Sequence, residues 1–315
     1  MAELSPAHPS ARPTERPRLP LRDGVGPSCL HLPAGHWPTL LDCLTERFPA
    51  IARATWAQRL VAGDVLDAEG SPLRADSSCL AGTRIYYYRA VDAEPVVPGE
   101  VGIIHRDEHL LVVDKPHFLP VSPIGRYVQE TLLTRLRRLG GLDDLVPLHR
   151  IDRETAGLVL CSLNPATRDA YTALFREQRI TKVYEAVARA RPELAYPLRR
   201  HSRIDAGEPF FRRREVAGEA NADTTITLLR QDGDLALYEA RPLTGRTHQI
   251  RVHFQALDMP LLNDRLYPEL LTLPEDDFSA PLQLLARSLQ FNDPLSGEPR
   301  RFDSRRDLLI TRATP

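Results

Sequence analysis

Lysine is almost missing from this chain. Of its 41 Lys and Arg residues only Lys115 and Lys182 are lysines, leaving 39 arginines. Arginine's planar fork favours bidentate phosphate contacts and stacking on bases, although a genome-wide codon bias explains most of such an excess. A charge surplus is missing too. The formal net charge is −1, so no bulk positive field marks the chain as a general binder of polyanions. Cysteine is sparse, and Cys29, Cys43, Cys79 and Cys161 form no CxxC pair. That argues against a zinc site or a disulfide framework and fits a reducing compartment. No apolar run approaches membrane-spanning length, and the N-terminus lacks the apolar core of a secretory signal. A soluble, cytoplasmic protein is expected. Its 315 residues suffice for one large domain or two ordinary ones, and no repeat at a solenoid period occurs.

What is present divides the chain. Residues 1–27 carry Pro6, Pro9, Pro13, Pro17 and Pro20 among Arg12, Arg16, Arg18 and Arg22, a composition that predicts a disordered tail. Residues 28–92 read as a small α+β unit. The segments 39–48 and 54–63 have helical apolar spacing, with Thr39 and Thr55 as expected N-caps and Gly63 as a stop. Short strands follow, up to Tyr86, Tyr87 and Tyr88, whose rings could offer stacking surface although alternation should bury at least one. Two helices followed by strands, with RLVAGDVLDAEG between them, resemble the small RNA-binding domain of the S-four ribosomal-protein type. The proline-bearing segment 93–99 reads as a linker.

Residues 100–315 form the larger domain. HLLVVDKP (His109–Pro116) predicts a strand, 128–140 a helix ending at a Gly pair, NPATRDAYTALFREQ a helix and TKVYEAVARA a strand. Two further strands, a helix over THQIRVHFQALD capped by Thr247, and a last strand over APLQLLARSLQF complete it. Strands outnumber helices and several neighbours look antiparallel, which gives an α+β domain on a mixed, largely antiparallel sheet.

The stretch LHRIDRETAGLVL (Leu148–Leu160) sets an acid among arginines just ahead of a buried strand. Gly157 suits a tight backbone path where a side chain would obstruct a close neighbour. Asp152 reads either as a carboxylate fixed in a cleft or as a turn cap with Arg150 as its surface partner. Lys182 and Tyr184 share one face of a strand. On the helix beginning in LTGRTHQIRVHF, Ile250, Phe254 and Leu257 mark the buried stripe, and His248 and Arg251 lie three residues apart on a neighbouring face. A metal site on His248 and His253 is disfavoured by their spacing of five and by the lack of a third ligand.

HRIDRETAGL, KVYEA and GRTHQIRVH, in this order, with the leader HLLVVDKPHFLPV, resemble the signature of the RluA-type pseudouridine synthases over residues 98–303. The resemblance implies isomerisation of uridine to pseudouridine in RNA, with no cofactor and no metal. It implies that Asp152 is the catalytic aspartate, acting either on the anomeric carbon or on a proton of the neighbouring sugar carbon. It further implies that Tyr184 stacks on the target base, that Arg251 pairs with Asp152, and that Ile250 packs beside it. Arg150 would fill the gap left by a flipped-out uridine, and His149 would orient its loop. Lys182, Arg246 and His248 complete the expected substrate-binding set. Three departures bear on local loops and substrate fit: Ile151 for leucine, Leu285 for histidine, and NDRLYP (Asn263–Pro268) for a glycine-bearing segment.

Two rival readings fit the residues less well. A catalytically silent RNA-binding or assembly factor would not need a carboxylate beside phosphates, where it repels. A glycosidic hydrolase would need a second acid, and Glu154, the only nearby candidate, reads as a turn cap. The expected partner is a stem-loop of rRNA or tRNA, bound by a monomer without membrane or metal.

Overall fold

The computed structural model describes residues 19–89, 94–274 and 276–311, in two compact units, Met1–Ala90 and Val91–Pro315.

In the first unit, β1 (Ser28–His31), α1 (Leu40–Arg47), α2 (Arg53–Val61), β2 (Val65–Leu66) and β3 (Arg84–Tyr87) build a three-stranded sheet in the order β1-β3-β2 with two helices. Leu40, Cys43 and Leu44 of α1 and Trp56 and Leu60 of α2 make one core. Thr39 caps α1 through the Asp42 amide, as its sequence predicts. Thr55 is no cap: α2 starts two residues earlier, with Ala52 at its N-cap and no side-chain bond there. The strand β1, which precedes the helices, was not foreseen. The tyrosines offer little stacking surface: Tyr86 and Tyr88 are buried, and Tyr87 packs edge-on against Trp56 and Phe48. Residues 1–18 of the expected disordered tail lie outside the described residues. Residues 19–27 are held: the Tyr88 hydroxyl donates to the Pro20 carbonyl at 2.6 Å, and Arg22 pairs with Asp64 and lies over the Tyr88 ring.

The second unit is built on β4 (Gly102–Arg106), β5 (Leu110–Lys115), α3 (Leu132–Arg137), β6 (Val146–Pro147), β7 (Ala156–Ser162), α4 (Arg168–Arg176), β8 (Thr181–Arg189), β9 (Leu198–Ala206), β10 (Arg213–Val216), β11 (Ala222–Asp232), β12 (Leu235–Pro242), α5 (Gln249–Gln255), β13 (Leu284–Asn292) and β14 (Pro299–Asp303). These strands form an 11-stranded sheet with the path β10-β9-β11-β12-β8-β13-β7-β5-β4. Its pairings are antiparallel except where β7 meets β13. That is the mixed, largely antiparallel α+β architecture the sequence predicts.

The neighbouring strands β5 and β7 are buried at every position, which explains their unbroken apolar runs. Alternate residues serve opposite faces. Leu111, Val113, Val159 and Cys161 join one core, and Leu110, Val112, Leu158 and Leu160 the other. Farther along, β8 and β12 carry alanines (Ala186, Ala188, Ala236, Ala240), and Ile250 and Phe254 of α5 share their core cluster.

Residues 94–99 are no free linker. The Glu94 carboxylate accepts the amides of Val128, Gln129 and Glu130, and Val97 is buried in the core. Those amides are thereby taken before the helix begins, so α3 is shorter than the 128–140 expected.

Candidate active site

The turn that carries Asp152 runs into β7, and its position is set by a backbone contact. Gly157 has φ +108°, and a Cβ there would lie 2.4 Å from the Ala286 carbonyl oxygen. Only glycine lets β7 approach β13 so closely at their parallel junction, where Gly157 faces Ala286. Upstream, the Leu160 amide donates to Nε2 of His149 at 3.0 Å, and the imidazole stacks on Phe175 with ring centres 4.6 Å apart. Burial pushes His149 down to about 3, so it is a neutral strut between the loop and β7.

All nine residues expected at the site, His149, Arg150, Asp152, Lys182, Tyr184, Arg246, His248, Ile250 and Arg251, line one cleft of about 550 Å³. Arg150 is exposed at its wall. Lys182 Nζ donates to the Thr244 carbonyl at 3.0 Å, and burial lowers it to about 8. Burial, then the Asp152 charge, raises the Tyr184 hydroxyl, so it keeps its proton. Ile250 and Tyr184 join the same apolar cluster.

Arg251 is the centre of charge, and its surroundings are richer than a pair. Its side chain is 2 % exposed. Asp264 binds it at two points, Nε to Oδ2 at 2.8 Å and Nη2 to Oδ1 at 2.6 Å. Glu154 Oε2 accepts from Nη2 at 3.0 Å, while Asp152 Oδ2 stands 3.5 Å from Nη1. Burial opposes charge on this guanidinium, but the hydrogen bonds and charge of Asp264, then of Asp152 and Glu154, outweigh it and hold Arg251 protonated. The predicted Asp152–Arg251 pairing is therefore the longest of three contacts. Glu154 is an ion-pair partner of Arg251 and not the turn cap expected. It is buried, and with Asp152, His248 and Arg251 it lines a second hollow beside the cleft, where its carboxylate is taken by Arg251.

Asp264 belongs to the NDRLYP segment and also accepts the amides of Leu266 and Tyr267 at 2.9 and 3.1 Å. No local signal marked it, because its partner is on another element and only the loop's path brings them together. Lys115 was missed likewise. It is fully buried and donates to the carbonyls of Pro116 and Arg153 at 3.0 and 3.1 Å. Burial drives it well below its ordinary value, and the nearby Asp152 charge opposes that.

The GRTHQ loop is pinned by Gln249, whose Oε1 accepts from Thr244 Oγ1 and the Arg246 amide and whose Nε2 donates to Asp223 O and Thr224 Oγ1. The helix begins one residue later than predicted: His248, not Thr247, is the N-cap of α5, in the left-handed region at φ 57° and with no side-chain cap. His253 bonds Thr224 and Ser202 instead of approaching His248. His248 Nδ1 lies 2.9 Å from Tyr267 Oη. That hydroxyl already accepts the Arg213 amide at 2.8 Å, so its own proton is free for Nδ1. Burial keeps His248 below its ordinary value, and the neutral ring then carries its proton on Nε2, 4.0 Å from Asp152 Oδ1.

A family model described as RNA pseudouridylate synthase matches residues 109–256. The chain is 31% identical over 232 residues to an uncharacterised RNA pseudouridine synthase of Synechocystis sp., covering 72% of this chain and 79% of that one. It is 32% identical over 179 residues to the mitochondrial tRNA pseudouridine(32) synthase of Saccharomyces cerevisiae, covering 55% of this chain and 38% of the yeast protein. The solved structure of human RNA pseudouridylate synthase domain containing 1 superposes with a TM-score of 0.53 at 26% identity, over 66% of this chain and 85% of the human one. The motifs around Asp152, Tyr184 and Arg251 fall inside the matched region, and the chain belongs to the RluA-type family of RNA pseudouridine synthases.

Proposed function

We propose that Asp152 carries the isomerisation of specific uridines in a structured RNA, and that the cleft receives a base flipped out of its stack. The observation that supports this best is the setting of Asp152: a carboxylate 26 % exposed in the cleft, 3.5 Å from a buried cation whose other two carboxylates, Glu154 and Asp264, are themselves buried. A buried guanidinium held by Asp264 and Glu154 faces the Asp152 carboxylate at ion-pair range while leaving its oxygens open to a reactant.

In the reaction the bond from ribose C1′ to uracil N1 breaks and C1′ rejoins to C5; the C5 proton passes to solvent and the freed N1 ends protonated, so atoms balance. Asp152 begins this either by attacking C1′ or by removing a proton from C2′. Tyr184 stacks on the base during its rotation, its buried hydroxyl keeping its proton. Arg150, exposed at the wall, is the flat cation that fills the vacated stack. Ile250 packs on the base, Lys182 and Arg246 meet phosphates, and His248 donates its Nε2 proton toward Asp152 or the sugar. The yeast relative's name points to tRNA, and a tRNA or rRNA stem-loop is the substrate class we propose, acted on by a monomer. The N-terminal unit, with its paired helices and small sheet, would add affinity for the same RNA. Among the described residues no helix is long and apolar enough to cross a membrane.

The test is pseudouridine mapping of total RNA from the host with and without the gene, complemented by wild type or by Asp152→Asn. Sites that vanish and return only with wild type support the reading. Restoration by Asp152→Asn would remove this carboxylate from the chemistry.

A further inference from the structure

The hairpin joining β9 to β10 is not used by the reaction as described. Its turn reads Glu208-Pro209-Phe210-Phe211-Arg212, closed by bonds from the Gly207 amide to the Arg212 carbonyl and from the Arg212 amide to the Pro209 carbonyl. Phe210 is 83 % exposed and Phe211 40 %, and the two rings touch edge to face at 5.5 Å. Two phenylalanines presented at a turn on the sheet's edge strand are poorly placed for folding, because neither joins a core. Basic residues follow directly in Arg212, Arg213 and Arg214. The acids nearest in the strands are taken, Asp205 by Arg203 and Glu215 by Arg200, whereas Arg214 is exposed.

The root of this hairpin is bonded to the cleft. The Arg212 guanidinium lies 5.0 Å over the Tyr267 ring and donates to the Pro268 carbonyl at 2.7 Å. The next residue donates its amide to the Tyr267 hydroxyl, which in turn holds His248 Nδ1. The Arg251 guanidinium lies over the same ring, 5.4 Å from its centre.

We propose that the β9–β10 turn is a docking element for the RNA strand flanking the target uridine, with Phe210 and Phe211 stacking on bases and the exposed Arg214 meeting the backbone, and that Tyr267 links its seating to His248. This rests on the reading that RNA enters the cleft. Exposed aromatic faces beside arginines are what an unpaired strand binds, since every base has a face to stack and the phosphates meet the guanidiniums. Continuity with the cleft through Tyr267 selects RNA as the occupant. Tyr267 is a positioning residue, because it reaches Asp152 only through other side chains, His248 and Arg251.

The experiment places a reporter on the turn. Phe210→Trp is titrated with a pool of unmodified tRNA transcripts, the emission of Trp37 and Trp56 being subtracted with the wild-type protein. Stacking is expected to quench the new indole, and Phe210→Ala is expected to weaken Kd on the order of tenfold, the loss of one base–aromatic stack. Tyr267→Phe is expected to lower kcat while Kd stays within about twofold, since it removes the link and not the platform. An indole whose emission ignores RNA that filter binding shows to be bound would overturn the proposal. So would Phe210→Ala binding as tightly as wild type, or a change confined to the sedimentation of the free protein, which would make the turn a self-association face. RNA bound and quenching without any pseudouridine formed would overturn the reading of the cleft and leave the docking element standing.

Discussion

Asp264→Asn tests the charge centre at its least visible member. The substitution keeps a carbonyl oxygen for the Leu266 and Tyr267 amides but removes the charge that grips Arg251 at two points. With its side chain 0 % exposed, Asp264 has no water to soften the loss. Breaking a buried ion pair by removing one partner costs about 3–5 kcal/mol. Glu154 and Asp152 remain beside the guanidinium, so the low end applies, about 3 kcal/mol. For a unit of this size that lowers Tm by roughly 6–12 °C. Arg251 then turns toward its remaining acids, shortens its contact with Asp152 and ties up the carboxylate meant for substrate. Turnover is expected to fall at least about tenfold, a barrier rise of about 1.4 kcal/mol, with KM unchanged because Asp264 touches no substrate. Calorimetry and single-turnover pseudouridine assays read both effects. A Tm within about 2 °C of wild type together with unchanged turnover would show that Arg251 is positioned without Asp264.

Acid should destabilise the protein through its buried imidazoles. His149 is lowered to about 3, and His117 and His253 to about 4, each by burial. The unfolded chain binds those protons first, so their stabilising share is complete above about pH 6.5 and is lost as pH falls toward 4, with an upper-limit slope of about 4 kcal/mol per pH unit for three protons; denaturant melts across that range that stay flat would refute it. Lys182, lowered to about 8, is charged below that pH and neutral above it. RNA affinity should therefore weaken as pH rises through about 8, and Lys182→Arg should remove that step from a pH series of Kd. Gly157→Ala should fail to fold or should melt far lower, because a Cβ meets the Ala286 carbonyl at 2.4 Å and the φ of +108° suits no other residue; an unperturbed Tm would contradict the strand junction described above.

The sequence made the site legible where chemistry and local pattern coincide. Asp152, Tyr184 and Arg251 sit in runs whose polarity is odd for a strand or a buried helix, and Gly157 declared a close approach before its partner Ala286 was known. What stayed hidden depends on paths through space. Asp264 looked like part of a variable loop, and Glu154 looked like a turn residue, because neither window contains Arg251. Strands β9 and β10 were missed since LRRHSRIDA and RREV are largely polar, with their charges satisfied across strands, as in Arg200 with Glu215, instead of by a buried face. The segment 94–99 read as linker from its prolines, yet a single carboxylate, Glu94, fastens it to three amides.

Reading lysine as scarce gives the cleft a chemical address. Lys115 is sealed in the core, whereas Lys182 lines the cleft and is near half-deprotonated at mildly alkaline pH. Acylating or reductively alkylating reagents ignore the surface arginines. Apart from any α-amino group, they would thus place a dye, a photocrosslinker or an isotope tag inside the cleft of the native chain, with no cysteine to introduce.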